Sequence, residues 1–541
     1  MALPVKENDD VDKSLARTES FTSDLVEDTV VQDFGYEPTY SRVFSSIGSM
    51  SLTLAMTSPM CGVFVAVSYQ ISYGGYWGLT WGWLVPAILF FPPWALTTAE
   101  FCSAMPVNGA SYWWTAALAP PSVSRPISFI AGMANVMNAL TSIASMAWAS
   151  SSAICTIISM YNGWEPTNAM VFWHLVGPLH PVVYHGLHED GSSQPALHWL
   201  RYTSLHVASI VLVSTVVLFI ALPASQAVQG TPFASAAKVF GEYANFSDWN
   251  DPVAVPMTWF TAAWVITGWN APSAVAEETH NARIVAPRSI ITTYSLMSVM
   301  GLMVCVLVAF CIPDIEAAAM DPTGFPALTL LIQRWGPNAG VAFLLIIFFN
   351  TAIGGGAVLV MMSCQTAAFA RDGGLLFNDK LCYVSPRSNM PIYTTTLLTI
   401  GGMLMLCLGF SPIASTTIYS FAVIAVMMLY ALPMVFRIFD SGRWVPGPWN
   451  YGRLSKPIHV LGLLTVLFMT IMECFPPEAN WTGATLNYNW AVLIGAVLIS
   501  TVMWFTHGSR NYRGPDQEML TAWRSHRITQ GIDSIEGVRP T

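Results

Sequence analysis

Long apolar runs recur along the chain, separated by short polar stretches. Twelve of them read as membrane helices, at about 44–67, 77–98, 127–160, 169–184, 205–222, 257–276, 290–312, 341–368, 392–409, 415–435, 460–471 and 489–505. A helix rises 1.5 Å per residue, so about 20 apolar residues cross the hydrocarbon core. The fourth run is the weakest, being short and carrying His174, His180 and two prolines. The eleventh is also short.

Two runs are interrupted in the middle. In the first, Thr57-Ser58-Pro59-Met60-Cys61-Gly62 separates two apolar halves. In the sixth, Trp259–Ile266 is followed by Thr267-Gly268-Trp269-Asn270-Ala271-Pro272, and the pattern resumes as a more polar helix through Ala276. Pro lacks the N–H a helix needs, and Gly weakens it. Unpaired peptide groups survive at membrane depth only when buried in protein or facing a cavity. Each interruption is therefore a kink or a binding site. Two of them, at positions one and six of twelve, are the pattern of two inverted five-helix repeats. The fold class expected is all-α integral membrane, twelve helices in a 5+5 inverted repeat with helices 1 and 6 discontinuous. Its parts are a cytoplasmic tail at 1–42, a transporter domain at 43–507 and a cytoplasmic tail at 508–541. Within the domain the repeats fall at about 43–223 and 256–437, with helices 11 and 12 at about 457–507.

Charge placement agrees with that count. With the N-terminus in the cytoplasm, only Lys238 and Arg334 of the 22 Lys and Arg fall outside, which is a positive-inside distribution. The sequons at Asn245 and Asn480 both fall in external loops and are candidate glycosylation sites. Composition fits as well: 54% of residues are hydrophobic and only 10% charged, against roughly 25% charged in soluble domains. The acidic first forty residues lack an apolar signal segment and read as a disordered cytoplasmic tail. The net charge of −9 owes much to them and says little about partners. The nine cysteines have no paired spacing, so neither a disulfide framework nor a metal site is expected. No hydrolase, zinc-protease or nucleotide-loop motif appears in a plausible context, which argues against an enzyme and against a cofactor. Nothing points to nucleic acid.

At a half-helix start, free N–H groups attract a carboxylate; at a half-helix end, free carbonyls attract an ammonium. The candidate substrate contacts are accordingly Thr57, Ser58, Pro59, Cys61 and Gly62 in the first break, and Gly268 and Asn270 in the sixth. Ser58 and Cys61 are small enough to let a solute reach the backbone. Trp264 and Trp269 offer ring faces for a cation, worth about 2 kcal/mol when desolvated, or simply pack. Asn135 in span three and Asn350 in span eight read either as pocket lining or as interhelical glue. Glu100, His206, Glu277 and Glu278 are gating or proton-coupling candidates, with ordinary structural roles as the alternative. As the structural alternative, Glu100, Glu277 and Glu278 are expected to cap loops or to pair with Arg283 or Arg125, and Arg371 is expected to pair with Asp372.

Four local patterns carry a resemblance. They are W-x-x-T-G-W-N-A-P-S-A-V-A-E-E-T from Trp264 to Thr279, A-E-F-C-S-A-M-P-x-x-G-x-x-Y-W from Ala99 to Trp113, A-F-A-R-D-G from Ala368 to Gly373, and the Tyr73-Gly74-Gly75 turn. Together the chain resembles a fungal amino acid/choline/GABA permease of the amino acid–polyamine–organocation superfamily. The resemblance implies a leucine-transporter-type fold and import of an amino acid, choline, GABA or polyamine, with a proton as possible co-substrate. It also implies a multi-pass protein of the plasma membrane, with the vacuolar membrane as alternative, whose two breaks contact substrate through backbone groups. Cys364 stands after Ser363 where the family has Arg, and span five has no Lys. A non-transporting nutrient sensor, or a carrier of a pathway-specific metabolite in either direction, is the competing expectation.

Overall fold

The computed structural model describes residues 45–162 and 196–515, apart from 322–324, 387–389, 411, 441 and 484, and single positions as far as 525. The expected fourth span, the N-terminal tail and most of the C-terminal tail lie outside the described residues. The described residues are helical, and eight helices are long and apolar enough to cross a membrane. Ser46–Ala104 is one of these, yet it makes two crossings. At Gly75 the backbone takes φ +57°, a region that L side chains rarely enter. The chain folds back there, bringing Gly78 against the carbonyl of Gln70. Spans one and two are thus joined by a reversal, not a loop. Ile392–Leu406 is a shorter apolar helix at the ninth position, and the sixth position is built from pieces. Every expected span except the fourth is therefore represented among the described residues.

Spans three, Pro121–Asn162, and eight, Pro337–Arg371, lie side by side. Gly132 meets Phe369, Asn138 approaches Met362 at 3.9 Å, and the Ser150 hydroxyl donates to Thr351 at 2.8 Å. As one number rises the other falls, so the two helices are antiparallel. Span eight also backs the first helix: a Cβ on Gly354 would sit 2.8 Å from the Ala55 carbonyl. Span seven, Ala282–Cys311, supports span two, where the Trp83 indole donates to the Ser298 carbonyl at 2.9 Å.

The sequence did not predict several short helices. Ala110–Leu118 lies between spans two and three, and Pro326–Trp335 precedes span eight. The segment after span twelve is also ordered against the bundle. Tyr512 is fully buried, its ring 5.5 Å from Phe129 and 5.6 Å from Phe369, and its hydroxyl lies 3.0 Å from the Ser128 hydroxyl. Arg125 donates to the carbonyl of Tyr512 at 2.6 Å, and the Arg513 N–H donates to that of Asp372 at 3.0 Å. A part of the expected tail is therefore a clamp across spans three and eight.

Candidate functional site

The first break is one residue wide. The helix Ser46–Thr57 ends, Ser58 adopts φ 34° and ψ 83°, and a new helix starts at Pro59. The cause is local. A continuous helix would have residue 59 donate to Ala55, and Pro59 has no N–H. The Ser58 N–H still reaches Leu54 at 3.0 Å, and the Gly62 N–H reaches Ser58 at 2.9 Å. Between them, the Met60 N–H and the carbonyls of Ala55, Met56 and Thr57 have no backbone hydrogen bond among the described residues.

The sixth break is wider. Asp251–Met257 and Phe260–Ile266 form the upper part, and Thr267 closes on Ala263 through both its N–H and its hydroxyl. Gly268 then takes φ +122°. Below it, the helix expected through Ala276 is a correction. Only Ala271–Ala274 is helical, ending at Val275 with φ −120°. The reason is downstream: the Glu277 N–H is captured by the Asn108 side chain at 3.0 Å, which pulls the chain out of helical register. The N–H groups of Gly268 and Trp269 and the carbonyls of Val265 and Ile266 have no backbone partner among the described residues.

The two breaks interlock. A Cβ on Gly268 would lie 2.6 Å from Cγ2 of Thr57, and one on Gly62 would lie 2.9 Å from Cγ2 of Val265. Ser58 and Cys61 are buried, while Thr57, Thr267 and Gly268 keep partial exposure in otherwise buried surroundings. The Trp269 indole N–H is buried without a partner among the described residues, a condition that costs about 1–3 kcal/mol unless something fills it; the Ser58 hydroxyl is buried beside the Cys61 thiol.

Around the breaks stands a wall of aromatic rings. Trp269 meets Trp94 edge-on at 4.4 Å and Tyr294 at 5.6 Å. Asn270 donates its amide to the Tyr430 hydroxyl at 3.0 Å, so span ten joins the site. The Thr57 hydroxyl donates to the Met297 sulfur at 2.8 Å. Nothing in the linear pattern marked Tyr430 or Met297, which lie far away along the chain. Trp264 is half-buried and packs against the main core.

Depth separates the two asparagines. The breaks lie level with Gly354 of span eight, which faces Ala55 and Met56, and so with about residue 146 of span three, which meets the adjacent Gly355. Asn350 is one turn outward, with its amide nitrogen buried and unpartnered. Asn135 is about 16 Å away toward the Pro121 end of span three at 1.5 Å per residue, and both its side-chain polar atoms are buried without partners among the described residues. The two do not share one small pocket. His206 is exposed on its helix, whose buried side carries Val207 and Val211. In the outer loops Asn480 is exposed, whereas the Asn245 amide already donates to the Trp249 carbonyl at 2.7 Å.

At the inner end the carboxylates have other partners than expected. Glu277 pairs with Arg371 at 3.3 Å and accepts from the Asn108 N–H at 3.0 Å. Glu278 takes the Asn108 amide on both oxygens at 3.1 Å. Arg283 instead donates to the Ser103 carbonyl and Arg125 to Tyr512. Asp372 accepts from the Tyr112 hydroxyl at 3.1 Å, so Arg371 and Asp372 engage different elements. Glu100 is buried at the foot of span two. It accepts from the Ser455 hydroxyl at 2.9 Å, with His459 3.7 Å away, which ties span two to span eleven. Asn108 was within reach of the sequence, since it lies between Pro106 and Gly109 of a motif already noted.

The description "Amino acid permease" belongs to a family model that matches residues 47–498. An uncharacterised amino-acid permease of Schizosaccharomyces pombe is 28% identical over 463 residues, covering 84% of this chain and 80% of its own. The GABA-specific permease of Saccharomyces cerevisiae is 26% identical, over 80% and 76%. A putative polyamine transporter of Candida albicans is 24% identical, over 80% and 79%. Among solved structures, a nucleobase-cation-symport-1 family transporter in a closed conformation is similar with a TM-score of 0.48 at 12% identity, covering 80% of this chain and 92% of that one. A manganese transporter of Eremococcus coleocola gives 0.49 at 10% identity, over 90% and 94%.

Proposed function

The chain belongs to the amino acid permease family, and on that premise we propose that it imports a small amino acid or related amine, with protons, by alternating access around the two breaks. The observation that carries this reading is their interlock, Gly268 against Thr57 and Gly62 against Val265. Unpaired N–H groups and unpaired carbonyls then lie close together where the breaks meet. No side chain of Thr57–Gly62 or Thr267–Pro272 bears a charge. A solute with one carboxylate and one ammonium matches such a site, because backbone partial charges answer each end. The related GABA-specific permease carries a solute of that kind by name. The plasma membrane is the compartment that fits import.

Transport requires the bundle to rock about the site, and the solute drives this only by binding the two states unequally. Uptake of a panel of radiolabelled amino acids, GABA, choline and polyamines in a permease-deficient cell tests the reading. We expect concentrative uptake of a zwitterion, suppressed when the proton gradient is collapsed. Accumulation that survives without protons but needs sodium contradicts the coupling. Binding without exchange in counterflow contradicts transport.

A further inference from the structure

Just below the short helical turn Ala271–Ala274, beyond the sixth span, the chain places two consecutive carboxylates in protein. Glu278 is fully buried and Glu277 nearly so. Asn108, also fully buried, holds both from the loop between spans two and three. Its N–H donates to Glu277 at 3.0 Å, its amide donates to both oxygens of Glu278 at 3.1 Å, and its carbonyl oxygen accepts from the Glu277 N–H at 3.0 Å. This reciprocal clasp fastens the lower part of span six to the loop.

Among the described residues, the charges in the clasp do not balance if both acids are ionised. Arg371 of span eight supplies one positive charge and gives it to Glu277 at 3.3 and 3.4 Å. The next cation along the chain, Arg283, is turned to the Ser103 carbonyl. The other titratable groups at Glu278 are Cys364, whose thiol donates to it from span eight, and His280 two residues on. Among the described residues no second cation pairs with the carboxylates, and Glu278 is fully buried.

We propose that Glu278 is a proton-binding site of the inner gate: the closed gate holds one proton on this carboxyl, and opening releases it to the cytosol. The inference rests on the alternating-access reading above. In the step, the O–H bond of Glu278 breaks, the electron pair stays on the carboxylate, and cytosolic water takes the proton. Burial first, then the neighbouring Glu277, pushes the Glu278 acid up to about 8 in the closed gate. Once the lower part of span six leaves Asn108 and water enters, an ordinary glutamate value of about 4.3 applies. The closed gate therefore binds the proton more tightly, so acid favours closure and rising pH favours opening. The closed state loses this advantage as pH rises through about 8. A near-neutral cytosol lies between the two values, where the proton must leave for the gate to open.

The first test needs no substrate. Infrared difference spectra of the purified full chain, titrated through about 8, are expected to show one protonated carboxyl band disappearing, and Glu278→Gln is expected to lack it. Asn108→Ala removes the contact to both Glu278 oxygens, so the pH at which the band disappears should shift. This shift identifies the group even if Glu278→Gln folds poorly. A wild type with no such band, or a band unmoved by either change, overturns the proposal. The second test separates the source of the proton in proteoliposomes. If the proton crosses from outside, Glu278→Gln lowers the ratio of proton to solute flux toward zero. If it comes from the cytosolic side, the variant instead flattens the dependence on internal pH. A variant that alters neither overturns the proposal. A titrating band in a protein that moves no solute would refute the transport reading and leave the proton site standing.

Discussion

Replacing Gly268 with Leu is expected to abolish uptake while leaving surface expression largely intact. The backbone there has φ +122°, which only glycine adopts without strain. Even a Cβ would lie 2.6 Å from Thr57 Cγ2, closer than side-chain carbons approach. Leu adds three further carbons, and they have nowhere to go but the space between the breaks. The fold tolerates the change better than the site does, because the helices flanking this level are held by Trp94, Trp269 and Tyr294 rather than by residue 268. Gly268→Ala is the graded version and should retain a fraction of the wild-type rate. Uptake kinetics of Gly268→Leu that match wild type would remove the site from this position.

Tyr512→Ala is expected to destabilise the protein as a core truncation does, by about 3–5 kcal/mol. Its ring is fully buried between Phe129 and Phe369, although it stands outside every membrane span. Tyr512→Phe keeps the ring and loses only the hydrogen bond to Ser128, worth about 1 kcal/mol. Apparent melting temperature in detergent should therefore rank wild type, then Phe slightly lower, then Ala far lower. Equal melting of Ala and wild type would show that the segment does not clamp spans three and eight.

The comparison of sequence with structure turns on range. Pro59 and Gly268 announce the breaks by local chemistry: a missing N–H, and a backbone angle that only glycine adopts freely. Both were legible, as was membrane class from the runs and the charge bias. The lower half of span six was misread as helix through Ala276 because Ala271–Ala276 is a good helical string by itself. What ends it is Asn108, 169 positions away. Separation also hid the true partners of Glu277 and Glu278: Asn108 lies 169 and 170 positions from them and Arg371 lies 94 from Glu277, whereas Arg283 is close by along the chain. Polarity within a span placed Asn135 and Asn350 toward the bundle interior but carried no depth. Depth came only from the antiparallel register of spans three and eight. Tyr512 gave no signal, since one tyrosine in a polar stretch looks the same solvated or docked.

The most direct measurement of the central claim is an experimental structure of the protein with its transported solute bound. The solute is expected between Thr57–Gly62 and Thr267–Asn270, its carboxylate on unpaired N–H groups and its amine on unpaired carbonyls. Density for the solute elsewhere in the bundle, or a first or sixth helix that runs unbroken through this level, would contradict the account.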